Sequence, residues 1–223
     1  MDTTSSALSA SFHMLAKNQY AQNRLREELT IASPDRSNIS YDELSNLPFL
    51  DAVCRETLRL FPPVSTVYRK TATNAILPLS TPIIGADGTS LSEVAIPADT
   101  SFIVSVLSSN RNPSIWGPDS YEWKPQRWLA PLPETVKEAP IPGVYSHLMT
   151  FLGGGHACLG FKFSQLEMKI VLFILISNFK FELSEKDDDI IWQTTDISAP
   201  CLKSGGKRTS QLPLRVTAIS PEH

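Results

Sequence analysis

Apolar and polar positions divide the chain into a helical opening and a longer, punctuated remainder. Leu8, Phe12 and Leu15 recur at helical spacing with no N-cap pattern before them, so the opening reads as the tail of a helix that begins earlier. A polar helix is predicted over about 18–30, with Arg24, Arg26, Glu27 and Glu28 on a solvated face. Residues 33–38 (SPDRSN) form a turn, and Tyr41 opens a short helix. The segment LPFLDAVCRETLRLF predicts a strong helix from about 48 to 61, with Leu50, Val53, Leu58 and Phe61 near one face. Pro62 and Pro63 end it.

Residues 64–110 alternate apolar and polar positions between Gly and Pro, as short strands and hairpins do. Within them, 85–88 is a predicted turn and 102–107 a predicted buried strand. Residues 111–157 are rich in proline and tryptophan and have no period, and a stretch of that length without structure points to a functional role. A second strong helix is predicted over about 159–177. Strands follow at 179–183 and 212–218, with SGGK (204–207) as a turn between them. The fold class expected is mainly α with small peripheral β-sheets.

Composition narrows the function. A hydrophobic fraction of 42% and a charged fraction of 19% describe a globular chain. Net charge −3 leaves no basic stripe for a nucleic acid. Cys54, Cys158 and Cys201 are widely separated and odd in number, which excludes a disulfide framework and favours a reducing compartment. No signal peptide is visible, and the longest apolar run, 170–176, is too short to span a bilayer.

The sharpest chemical feature is FLGGGHACLG, residues 151–160. Three glycines, a cysteine and a further glycine let backbone approach a flat group closely. Cys158 stands just before the second strong helix, where backbone N–H groups and the macrodipole favour an anion. A soft, electron-donating ligand for haem iron needs that environment. A glycine loop before a helix also suits phosphate, but neither GxxxxGK[ST] nor GxGxxG is present. Cys54 and Cys201 read as small buried hydrophobes.

FLGGGHACLG resembles the cysteine-loop signature of the cytochrome P-450 family, with Phe151, Gly154, Cys158 and Gly160 on its marked positions. Glu56-Thr57-Leu58-Arg59 is similar to the family's ExxR pair on the K helix. The run Trp123 to Trp128 (WKPQRW) resembles its F-x-P-E-R-F segment, with Arg127 as the third member of a salt-bridge set. Asp2 and Thr3 look like the end of the oxygen-activating motif of the I helix. Four motifs in family order cover residues 1 to about 218.

The resemblance implies a single haem domain running from the end of the I helix to the C-terminus, in a protein about twice as long. Cys158 would be the axial ligand of haem b (iron protoporphyrin IX), with Phe151 beside the sulfur. Arg69 and His156 would bind haem propionates, the His156 contact varying with pH. An ordinary exposed arginine is the plainer reading of Arg69. Trp128 would pack near the loop, or simply serve as aromatic core. Glu56, Arg59 and Arg127 would form a buried network that locks the loop, because Leu58, Leu60 and Phe61 flank the pair. A surface pair, by contrast, contributes well under ~1 kcal/mol.

Asp2 and Thr3 would relay protons for O2 activation, although both residues are also good helix caps. Val64, Ser65, Thr66, Val67, Ile197 and Ser198 would line the substrate side, and hairpin packing accounts for them equally well. The family reaction is insertion of one oxygen atom from O2 into a lipophilic substrate. Electrons would come from NADPH through NADPH-cytochrome P-450 reductase, with Lys162 at its docking face. The intact protein would sit on the cytosolic face of the endoplasmic reticulum through an anchor that this chain lacks. The motif wording looks most like fungal members, which points to fungal secondary metabolism. With the distal wall and the first half of the I helix outside the chain, no autonomous activity is expected. The competing readings are a non-catalytic haem-binding or inactive fragment, and a haem-thiolate isomerase or dehydratase that does not use O2.

Overall fold

In a computed structural model, which describes residues 2–35, 38–194, 196–204 and 209–219, the opening of the chain is helical, as its apolar spacing predicts. Helices α1 (Asp2–Lys17), α2 (Gln19–Ala32), α3 (Tyr41–Ser45) and α4 (Pro48–Leu60) follow in order. A capping box starts α3: the Ser40 hydroxyl accepts from the Glu43 N–H, and the Glu43 carboxylate accepts from the Ser40 N–H. Pro48 opens α4, and the chain leaves the helix at Phe61, ahead of Pro62 and Pro63.

The chain forms two compact units. One is Thr66–Ser105; the other is formed by the residues up to Ser65 and from Val106 onward. In the smaller unit, β1 (Thr66–Lys70) pairs antiparallel with β4 (Ser101–Ser105), and β2 (Ala75–Ile84) pairs with β3 (Ser90–Ile96). The predicted turn is present, with Gly88 at φ +81° and its N–H donating to the Gly85 carbonyl at 2.9 Å. The buried strand expected at 102–107 is not. In the two-stranded ribbon Phe102 and Ile103 are exposed, while Val106 and Leu107 already belong to helix α5 (Val106–Asn110). An apolar run reports composition without period, so it does not distinguish a strand from a strand-to-helix junction.

The larger unit continues with α6 (Pro113–Trp116), a 3-10 turn at Pro125–Leu129 and α7 (Glu134–Lys137). The long helix α8 (Phe161–Asn178) follows. Two antiparallel ribbons complete it, β5 (Phe179–Leu183) with β8 (Leu214–Ala218) and the hairpin of β6 (Ile190–Thr194) with β7 (Ser198–Leu202). The fold is therefore mainly α with small antiparallel sheets. The predicted turn at 204–207 lies, apart from Ser204, outside the described residues. Leu15, Leu25, Leu29, Leu50, Val53, Leu172 and Ile176 are wholly buried in one core shared by α1, α2, α4 and α8. Each such side chain contributes about 1.5–3 kcal/mol by leaving water.

The charged face predicted for α2 is only partly solvated. Glu28 accepts from the N–H groups of Phe49 and Leu50, both at 2.8 Å, and so caps the start of α4. Arg26 donates to the carbonyls of Ile176 at 3.0 Å and Phe179 at 3.1 Å, capping the end of α8. The Arg24 guanidinium lies 4.4 Å from the Phe49 ring centroid. Long polar side chains reach the unpaired groups of neighbouring helix ends, and helical periodicity carries no sign of this.

His13 of α1 joins the C-terminal hairpin to the helices. Its Nε2 lies 2.8 Å from Asp187 Oδ1, and the Trp192 indole N–H donates to its Nδ1 at 3.3 Å. Burial lowers the His13 pKa despite the Asp187 bond. Burial of Asp187 is outweighed by the His13 and Lys17 interactions, which hold its carboxyl below the ordinary value. Acidification below the ordinary histidine pKa of 6.5 protonates the unfolded chain first, so stability falls with pH. The Asp187 contribution is lost further down. In the intact protein, the thermal midpoint should fall as the pH drops below 6.5. His13→Gln should flatten that slope, and an unchanged slope would exclude this residue as its source.

Candidate functional site

The network expected from Glu56, Arg59 and Arg127 is present, and both helical members are wholly buried on α4. Glu56 Oε1 accepts from Arg59 Nη2 at 2.9 Å, Arg127 Nε at 3.0 Å and the Lys124 N–H at 2.9 Å. Its Oε2 accepts from Arg59 Nε and from the Trp128 indole N–H, both at 2.9 Å. Arg59 uses its remaining N–H groups on the carbonyls of Asn110 (3.1 Å), Ser120 (2.6 Å) and Glu122 (3.0 Å). Every donor of the guanidinium is thereby engaged. The burial that would lower the Arg127 pKa is outweighed by Glu56 and Asp119, which raise it. The Lys124 bond and Arg127 hold Asp119 below its ordinary value against burial.

The cysteine loop approaches this network through residues 142–153, which fold back on themselves. The Val144 N–H donates to the Leu152 carbonyl, and Leu148 N–H to Tyr145 carbonyl, both at 2.9 Å. A Cβ on Gly153 would stand 1.6 Å from the Pro142 carbonyl oxygen, and one on Gly143 1.8 Å from that of Leu148. Only glycine permits those crossings. Ser146, His147 and Leu152 hold positive φ of 53°, 57° and 55°. Conformations of that kind cost on the order of 1–3 kcal/mol each and persist where the surroundings impose them. Arg55 Nη1, donating to Ser146 Oγ at 2.8 Å, supplies one such restraint.

Beyond this fold-back the Cys158 N–H donates to the Phe151 carbonyl at 2.9 Å, and Ala157 N–H to Gly154 at 3.1 Å. The Phe151 ring is buried against Tyr145 and Phe161. Cys158 is exposed, whereas Cys54 and Cys201 are buried as expected. Burial pushes the Cys54 thiol up to about 12, so it remains a protonated core group. A Cβ on Gly154, Gly155 or Gly160 would meet open space. Leu159 and Phe163 are exposed beside them, and His156 is exposed at the end of the 3-10 turn Gly154–His156. A sulfur on fixed backbone, among glycines and apolar side chains, fits a flat apolar group that needs one soft axial ligand.

The other predicted residues are placed as follows. Arg69 lies on β1 in the smaller unit, opposite Phe102, and donates to the Tyr68 carbonyl at 2.8 Å. Asp2 and Thr3 are exposed in the first turn of α1. The Ser198 N–H donates to the Pro63 carbonyl at 2.7 Å, and the Ser6 hydroxyl bonds the Ser198 carbonyl. The segment at Ile197 and Ser198 thus meets the exit of α4, next to Val64 and Ser65; Thr66 and Val67 begin β1 in the smaller unit. Lys162 is exposed in the first turn of α8. Asn110, Thr150 and the Trp128 indole N–H escaped the sequence reading, because their partners lie far along the chain and leave no spacing signal. Asp119 escaped it too, although its partners Lys124 and Arg127 follow within the same irregular stretch.

Residues 1–203 match the family model described as cytochrome P450, and the chain belongs to that family. It is 52% identical over 219 residues to cytochrome P450 monooxygenase 91 of Postia placenta, covering 98% of this chain and 40% of the relative. It is 49% identical to the ganoderic acid synthetase of Ganoderma lucidum over 223 residues, 99% of this chain and 40% of that one. With a monooxygenase of Hericium erinaceus it shares 46% over 192 residues, 86% of this chain and 35% of the relative. The chain spans about two fifths of the length of the first two of these curated relatives, in keeping with the C-terminal half expected. Family membership implies a haem cofactor.

Removing one partner from a buried, hydrogen-bonded ion pair costs about 3–5 kcal/mol, far more than a surface pair. Chemical denaturation of Glu56→Ala in the intact protein should show a loss of that order. A loss under about 1 kcal/mol would mean that the network is not a structural anchor.

Proposed function

We propose that the protein carrying this chain is a haem-dependent monooxygenase, inserting one atom of O2 into a lipophilic organic substrate with Cys158 as axial ligand. The observation that carries this reading is the exposed Cys158 thiol, set among open glycine positions and fixed by its N–H bond to Phe151. Haem b, when bound, supplies the redox chemistry on O2. The chain's residues hold and orient it.

Cys158 provides the soft anionic ligand, and the Phe151 carbonyl fixes its backbone. Gly154 and Gly160 keep side chains away from the face a porphyrin would cover. His156, exposed two residues before Cys158, is a candidate N–H donor for one propionate. Arg69 holds the same assignment from the family resemblance alone. Asp2 and Thr3 of α1 are assigned the proton relay, since a carboxyl next to a hydroxyl can hold water and pass protons. The substrate side is assigned to Val64, Ser65, Thr66, Val67, Ile197 and Ser198. The bond between Ser198 and Pro63 supports this for the members in the larger unit.

Electrons are assigned to NADPH through NADPH-cytochrome P-450 reductase, for which exposed Lys162 offers a cationic contact. Among the described residues no helix is long and apolar enough to cross a membrane. Attachment of the intact protein to the cytosolic face of the endoplasmic reticulum is assigned from the family resemblance alone.

The test is Cys158→Ser in the full-length protein, read by the absorbance of the reduced, CO-bound form. The thiolate-type Soret band should be lost. Its survival would remove the axial-ligand assignment and the proposed chemistry with it.

A further inference from the structure

We propose that Asn110 is a positioning residue for the Cys158 ligand, the side chain through which the Glu56–Arg59 anchor is passed to the cysteine loop. This deepens the haem-thiolate reading and rests on it. Asn110 ends α5 and is wholly buried. Its backbone carbonyl accepts from Arg59 Nη1 at 3.1 Å. Its side-chain Oδ1 accepts from the Met149 N–H at 2.8 Å, and its Nδ2 donates to Thr150 Oγ1 at 2.8 Å. One residue therefore holds the guanidinium on its main chain and two consecutive loop residues on its side chain. Phe151 comes next, and its carbonyl accepts the Cys158 N–H. The path from carboxylate to ligand is continuous: Glu56, Arg59, Asn110, Met149–Thr150, Phe151, Cys158.

The chemistry of this position requires an amide. The Thr150 hydroxyl donates to the Leu58 carbonyl at 2.8 Å, so its one proton is committed to α4. Its oxygen must then receive a proton from Asn110, while the Met149 N–H needs an acceptor. A side-chain amide offers one donor and one acceptor on a single short stem. Aspartate would set oxygen against oxygen at Thr150, and alanine would leave the Met149 N–H and the Thr150 oxygen unmet. Arg111, the next residue, donates Nε to the Leu60 carbonyl at 2.9 Å and holds the same turn against the end of α4.

The test compares Asn110→Ala and Asn110→Asp with Leu29→Ala, a core truncation chosen as a comparably destabilised control, in the intact haem-loaded protein. Native-state hydrogen exchange is expected to speed up about tenfold or more at the Cys158 amide in both Asn110 variants, and at the Met149 amide in Asn110→Ala, and not in the control. In the reduced, CO-bound spectrum the Asn110 variants should convert part of the thiolate-type band to the neutral-thiol type. The control should keep the parental band. Equal conversion in the control, or unchanged exchange at Cys158, overturns the assignment. A parental protein with no thiolate-type band overturns the proposed function instead, and the exchange arm then decides the role of Asn110 by itself.

Discussion

A single buried carboxylate organises the irregular half of this molecule. Glu56 sits inside α4 with no exposed surface and accepts five N–H donors, two from Arg59 and one each from Lys124, Arg127 and Trp128. A buried carboxylate without such partners would carry a desolvation penalty of several kcal/mol. Three of the donors lie near residue 125, so the chain beyond α6 must wrap onto α4 for the carboxylate to be satisfied at all. Trp123 adds an indole N–H bond to Thr57 at 3.1 Å on the same helix. The proline- and tryptophan-rich stretch without period thus acquires a definite path from polar contacts to one helix, with little regular structure of its own.

Arg59 extends the same logic towards the ligand loop. Its fork spans the carbonyls of Asn110, Ser120 and Glu122, and so gathers the end of α5 and the segment after α6 around one cation. Asn110 and Thr150 continue it to the turn before Phe151. The other side of the loop is held by Arg55 on Ser146, while Lys169 of α8 meets Asp51 of α4 at 2.8 Å and ties those two helices to each other. A loop with three non-glycine residues at positive φ can keep that shape only when helices on both sides restrain it. Ligand chemistry carried on a loop and positioned by rigid helices is a common division of labour.

How much was legible in the sequence follows from the range of each interaction. Glu56 and Arg59 are three residues apart on a strongly patterned helix, so their pairing and burial could be read from spacing and flanking leucines. The glycine-cysteine loop declared itself through residue types that have few other uses. Helices α1 to α4 and α8 followed from period and proline punctuation. The Lys124 and Trp128 bonds to Glu56, the Asn110 clasp and the helix caps made by Glu28 and Arg26 did not. Each joins a side chain to a partner twenty to more than a hundred residues away, and no local pattern records that. The junction of β4 and α5 was misread for a related reason, since Phe102 and Val106 are equally apolar but only the latter is buried.

The central claim is that the Glu56 network holds the cysteine loop in place, beyond its contribution to general stability. The most direct measurement follows thermal unfolding of the intact, haem-loaded protein by far-ultraviolet circular dichroism and by the Soret band together, for the parent and for Glu56→Gln. In the parent the two transitions should coincide. In the variant the Soret transition should come first, because the loop is released while the core of α1, α2, α4 and α8 still stands. Coincident transitions in both proteins would contradict the account.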